Sequence, residues 1–179
     1  HTAPSIHHNG RRAASAPTRG VAGFMSQSGA LGEIILANAR QINLGISMFA
    51  SVGNKADISG NDLIEYWEED PSTRVILMYL ESFGNPRKFT TIAQRVTRKK
   101  PIIAVKSGRT EAGARAAFSH TGSLAGGDVA SSTLFEQCGV LRVNTIEELF
   151  TLATALTSQP LPRGNRVALL TNAGGPAIM

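Results

Sequence analysis

The stretch "RVILMYLE", residues 74–81, constrains this chain most. Its apolar residues are consecutive, so a strand built from them has no face suited to water. Such a strand needs cover on both sides, which a parallel sheet between two helical layers supplies. Shorter runs of the same kind recur as "VAGFM", "ISMFASV", "PIIAVKSG" and "VLRV", each read as a strand.

Helical patterns fill the intervals. "ALGEIILANARQI" repeats its apolar residues through Leu31, Ile34, Ile35 and Ala39. "GNDLIEYWEED" opens behind Ser59, with Asp62 in capping-box spacing. "NPRKFTTIAQRVTRK" has Asn85 as cap and Pro86 at the first helical position. A further helix is expected over residues 128–137, and Thr145 with Glu148 forms a second capping box for "IEELFTLATALTS". Five strands alternating with helices predict an α/β fold: a flavodoxin-like, doubly wound parallel five-stranded sheet. Right-handed crossovers limit the topologies, and among those left the flavodoxin-like strand order 2-1-3-4-5 is expected.

Residues 1–19 mix Pro, Ser, Ala and Arg without periodicity and read as a flexible arm or linker. His1, His7 and His8 belong to it and read as part of a plain tail, with binding of a stray metal ion as the alternative. Residues 20–158 form the expected domain, and "QPLPRGN" (159–165) a linker. "RVALLTNAGGPAIM" (166–179) repeats the strand, glycine turn and helix of "VAGFMSQSGALG". It reads as the truncated start of a second α/β domain.

Hydrophobic content of 42% against 17% charged residues suits a packed core. The single cysteine, Cys138, excludes an internal disulfide framework and a cysteine-rich zinc site. It ends an apolar helical pattern and reads as a packed side chain. No apolar run reaches membrane-spanning length, so a soluble cytoplasmic protein is expected, with no membrane partner. The net charge of +5 raises the question of nucleic acid. The basic residues are dispersed, however, and Arg95, Arg98, Lys99 and Lys100 close a helix, where cations complement its dipole. With 6% aromatics and no basic stripe, no nucleic-acid partner is expected.

In such a sheet, ligands sit beyond the carboxyl ends of the strands, where helix starts present unpaired amides. "SQSG" (Ser26, Gln27, Ser28, Gly29) lies at one such end and suits either a phosphate or a plain helix cap. "TNAGGP" repeats the logic with Asn172, Ala173, Gly174 and Gly175, which also suit a tight turn. Glu81 follows the most apolar strand directly. There a carboxylate can accept the Nδ1 proton of an imidazole and leave Nε2 as nucleophile; a solvated strand-end glutamate is the plainer reading. His120 sits in "AAFSHTGSLAGG", a glycine- and alanine-rich segment with no second metal ligand nearby. By spacing alone it is either a chemical participant or a loop histidine bonded to backbone. No metal site is expected, since no zinc-ligand spacing occurs.

Taken in order, "GFMSQSGALG", "SVGNKADISGNDLIEYWEEDP", "YLESF", "KSGRTEAGARAAFSHTGSLAG", "CGVLRVNTIEELF" and "LLTNAGGPA" resemble the NDP-forming acyl-CoA synthetases. These are relatives of succinyl-CoA synthetase and include ADP-forming acetyl-CoA synthetase. The resemblance runs from about residue 20 to residue 179. It implies that His120 is the phosphohistidine, that Glu81 steadies it, and that "SQSG" and "NAGG" begin two phosphate-holding helices. It implies the reaction acyl-CoA + NDP + phosphate = acid + CoA + NTP, through an acyl phosphate. The family's CoA-binding and ATP-grasp domains find no match here, so they are expected partners on other domains or subunits. CoA, ADP or ATP and Mg are expected in the complete, oligomeric enzyme, with none held by this chain. The alternative is a synthetase-like regulatory or assembly region of a protein lysine acetyltransferase.

Overall fold

The structure, a computed structural model, describes residues 7–8, 11–12, 17–53, 58–108, 127–172 and 174. Two short strands, β1 (His7–His8) and β2 (Arg11–Arg12), pair antiparallel. The main sheet follows, with β3 (Arg19–Ser26), α1 (Gly29–Gln41), β4 (Ile46–Ser51), α2 (Gly60–Glu69) and β5 (Val75–Leu80). Then come α3 (Pro86–Val96), β6 (Ile102–Lys106), α4 (Asp128–Cys138), β7 (Leu141–Val143) and α5 (Ile146–Ser158).

The sheet runs β4-β3-β5-β6-β7 with every neighbouring pair parallel. Counted from β3, this is the order 2-1-3-4-5. Strand β5 shows why its sequence lacks polar alternation. Ile76, Met78 and Leu80 pack with α2, α3 and α4, whereas Val75, Leu77 and Tyr79 pack with α1 and α5. Each successive side chain enters a different apolar layer. The first layer holds the fully buried Trp67 and a triplet of rings, with Phe83 centred 5.1 Å from Phe89 and 5.2 Å from Phe135.

Local signals set most helix boundaries. Asn85 Oδ1 accepts the Lys88 amide at 3.0 Å, capping α3. Asp62 Oδ2 accepts from the Ser59 amide at 2.9 Å and from its hydroxyl at 2.6 Å, so the carboxylate reaches back over the start of α2. At α5 the box is shifted. Thr145 Oγ1 accepts the Glu148 amide at 3.1 Å, but the Glu148 carboxylate takes the amide of Asn144, one residue ahead of the cap.

The chain's ends show two further features. Strand β3 begins at Arg19, inside the stretch read as an arm, and Thr18 already accepts the Ile46 amide at 2.9 Å. Here β3 and the approach to β4 meet backbone to backbone, and a Cβ on Gly20 would lie 2.3 Å from the Gly45 Cα. Residues 166–170, expected as a strand, form none, and Val167, Leu169 and Leu170 are exposed. An extended apolar run becomes a strand only against a ladder partner, and no described strand pairs with this one.

Candidate functional site

The order 2-1-3-4-5 places a switch point between β3 and β5, because the chain leaves β3 toward the layer of α1 and leaves β5 toward that of α3. The last rung between them is the Gln27 amide donating to the Tyr79 carbonyl at 3.2 Å. Beyond it the backbones part, and the Gln27 side chain continues the connection. Its Oε1 accepts the Glu81 amide at 2.8 Å and the Ser82 amide at 2.9 Å, while Nε2 donates to the Ser82 carbonyl at 2.8 Å. The sequence-predicted residues of "SQSG" and Glu81 are thus brought to one edge and joined there.

Within the "SQSG" turn the groups differ in what they present. Ser26 is fully buried, its hydroxyl donating to the Ser28 carbonyl at 2.7 Å and accepting the Ser28 amide at 3.2 Å. Gln27 is 7% exposed. Ser28 and Gly29 are half-buried, and Ser28 Oγ caps α1 through the Leu31 amide at 3.4 Å. Neither the Gly29 nor the Ala30 amide has a hydrogen bond to a described residue, as expected in the first turn of a helix.

Glu81 is half-buried at the end of β5. Tyr79 lies two residues earlier on the same strand face, as period-two alternation requires. Burial pushes its phenol up from the ordinary value and the Glu81 negative charge adds to this, against a hydrogen bond with Ser107. Ser107 in turn donates its amide to the Leu80 carbonyl at 2.9 Å. The chain therefore leaves β6 beside the end of β5, through Ser107 and Gly108, into the segment that contains His120. His120 itself, with Ala173 and Gly175, lies outside the described residues. Asn172 and Gly174 are exposed.

On the α2–α3 side of Gln27 lies a cavity of about 120 Å³. Met78, Leu80, Phe83 and Phe89 give it apolar walls, and Asn61 and Lys88 add polar groups. Gln27 thus borders this cavity while its backbone leads into α1 in the opposite layer. Among the described residues no group of three or more His, Cys, Asp or Glu is placed to hold a metal ion. No described helix is long and apolar enough to cross a membrane.

A five-stranded parallel sheet in which Gln27, ahead of the first helix, is tied to the Glu81 backbone at the switch point defines an α/β domain of the flavodoxin-like class. The family described as the succinyl-CoA ligase like flavodoxin domain matches residues 19–156, and the chain belongs to it. It is 48% identical over 161 residues to acetate–CoA ligase (ADP-forming) II subunit alpha of Pyrococcus furiosus, covering 90% of this chain and 35% of that protein. It is 44% identical over 163 residues to acetate–CoA ligase (ADP-forming) of Methanocaldococcus jannaschii, covering 91% and 23% respectively. The solved structure of a dinucleotide forming acetyl-coenzyme A synthetase 1 from Ca. Korarchaeum cryptofilum, in complex with phosphate and ADP, is similar at a TM-score of 0.83. The two share 45% identity over 90% of this chain and 35% of that one. The chain spans about a third or less of the length of these relatives.

Proposed function

We propose that this chain is the phosphohistidine-bearing module of a cytoplasmic NDP-forming acyl-CoA synthetase. One observation carries the reading: Gln27 ties Glu81 to the turn that starts α1, so a carboxylate and unpaired helix-start amides occupy one edge. A phosphoryl carrier needs both, a group to orient the imidazole and dipoles to face the phosphoryl oxygens. The segment containing His120 departs from that same edge beside Leu80.

In this reading the Glu81 carboxylate accepts a hydrogen bond from the Nδ1–H of His120 and leaves the Nε2 lone pair free. Nε2 attacks the phosphorus of an acyl phosphate; the N–P bond forms, the bond from phosphorus to the acyl oxygen breaks, and the carboxylate leaves. Glu81 stabilises the positive charge that develops on the ring. The Gly29 and Ala30 amides, with Ser28 at the mouth, face the phosphoryl oxygens, while the Ser26 hydroxyl braces the turn beneath them. Asn172, Ala173, Gly174 and Gly175 begin the second phosphate-holding helix. The phosphoryl group then passes from Nε2 to the terminal oxygen of a nucleoside diphosphate. CoA, nucleotide and Mg are held by CoA-binding and ATP-grasp domains beyond this chain, in an oligomeric enzyme.

The test uses the full-length protein. Incubation with labelled phosphate and acetyl-CoA, or with labelled ATP, should leave an acid-labile, base-stable mark that His120→Ala abolishes. A mark that survives the substitution, or that is stable in acid, would overturn the assignment.

A further inference from the structure

The side chain of Gln27 acts where two parallel strands lose their common ladder. Up to Tyr79, β5 is held to β3 by backbone hydrogen bonds, ending with the Gln27 amide on the Tyr79 carbonyl. Past Gln27 the chain turns through the cap Ser28 into α1, and the Glu81 and Ser82 amides are met by the Gln27 side chain and not by a β3 carbonyl. The Gln27 carboxamide takes its place. It offers a carbonyl oxygen to two amides and an N–H to a carbonyl, which is the donor and acceptor set of a peptide group.

Few side chains can do this. Asparagine is one methylene shorter. Glutamate cannot donate to the Ser82 carbonyl, and lysine or arginine cannot accept from the two amides. Gln27 itself is 7% exposed, so its carboxamide is committed to these three bonds and not to bulk water. A reacting carboxylate on a residue whose own amide is held in this way inherits its direction from the anchor.

We infer that Gln27 is a positioning residue for Glu81: its carboxamide sets the direction of the Glu81 backbone relative to the start of α1, and it acts through Glu81 without touching the phosphoryl group. This rests on the function proposed above and adds a distinct claim, that the contribution of Gln27 vanishes once the Glu81 carboxylate is gone.

A double-mutant cycle on the full-length enzyme tests it. Phosphorylation of His120 is followed by rapid quench in wild type, Gln27→Met, Glu81→Gln and the double variant. Met keeps the length and buried volume of Gln27 and removes its hydrogen bonds. Gln27→Met should slow the step about 100-fold, the scale of a 1 Å misplacement, with little change in KM. The double variant should be no slower than Glu81→Gln. Amide exchange on the same proteins should show faster exchange at Glu81 and Ser82 while the β3–β5 ladder stays protected. If the two losses multiply, Gln27 acts independently of Glu81 and the positioning role is wrong while the function stands. If Glu81→Gln alone leaves the rate unchanged, the assigned role of Glu81 falls, and the positioning role with it. If Gln27→Met prevents folding, Gln27 is a structural residue and the inference is overturned.

Discussion

Lys88 Nζ lies 2.7 Å from Asp62 Oδ1, joining the first turn of α3 to the first turn of α2. At the far ends of the same helices, Arg95 of α3 and Lys99 just beyond it each reach the Glu68 carboxylate at 2.8 Å. The Lys88 hydrogen bond, helped by those from Ser59, holds the Asp62 carboxyl far below the usual carboxylate range. Hydrogen bonds from Arg95 and then Lys99 lower that of Glu68, whose side chain is 6% exposed. The Lys88–Asp62 bridge fastens together the two helix starts that border the cavity, and the Glu68 bridges tie the far ends.

A pH dependence of stability follows. Both carboxyls titrate lower in the folded chain than in the unfolded one, so their contribution is complete above the unfolded value and is lost as pH falls below about 4. Tm should be flat from neutral pH to about 5 and drop steeply below 4. Asp62→Asn and Glu68→Gln should each lower Tm at neutral pH and flatten the acid limb. High salt should weaken the exposed Lys88–Asp62 share more than the enclosed Glu68 share. An acid limb unaltered in both variants would show that the clamp contributes nothing.

Glu81→Gln should leave the fold intact, because the Gln27 bond goes to the Glu81 backbone and not to its carboxylate. In the full-length enzyme, phosphoryl transfer should slow roughly ten- to a thousandfold, the range of general acid–base contributions. Circular dichroism checks the first half and single-turnover kinetics the second. Unchanged turnover would reduce Glu81 to a solvated strand-end residue.

This chain by itself should bind phosphate or sulfate weakly, through the Gly29 and Ala30 amides and Ser28. Titration followed by backbone amide shifts should single out these three residues, with the shifts fading as salt rises. Shifts confined to Arg98, Lys99 and Lys100 would instead identify a nonspecific cationic surface. Micromolar CoA binding by this chain would contradict the proposed assignment of CoA to another domain.

Gly20→Ala should destabilise the domain by about 3 kcal/mol, the upper part of the overpacking range, because its Cβ would meet the Gly45 backbone and not a movable side-chain tip. Gly164→Ala, with no atom within 4 Å of the added carbon, should leave Tm unchanged. Urea unfolding of both variants decides the matter, and equal stabilities would rule out a tight β3–β4 approach.

Strands, helices and their order in the sheet were legible in the sequence because the forces behind them act over a few residues or repeat with the period of the element. The unbroken apolar run over Val75–Leu80 demands two covering layers, Asn85 and Pro86 start α3, and connection handedness limits the strand order. Ser26, Gln27 and Glu81 were legible as candidates from their position after a strand. Their relationship was not. Gln27 and Glu81 are 54 residues apart, and only the divergence of β3 and β5 at the switch point leaves the Glu81 and Ser82 amides for a side chain to satisfy. For the same reason the chain's order does not disclose that Gly20 meets Gly45 or that Lys88 meets Asp62. Residues 166–170 show the converse. Their apolar pattern is that of a strand, but a strand exists only where another backbone completes its hydrogen bonds, and that is decided by tertiary structure.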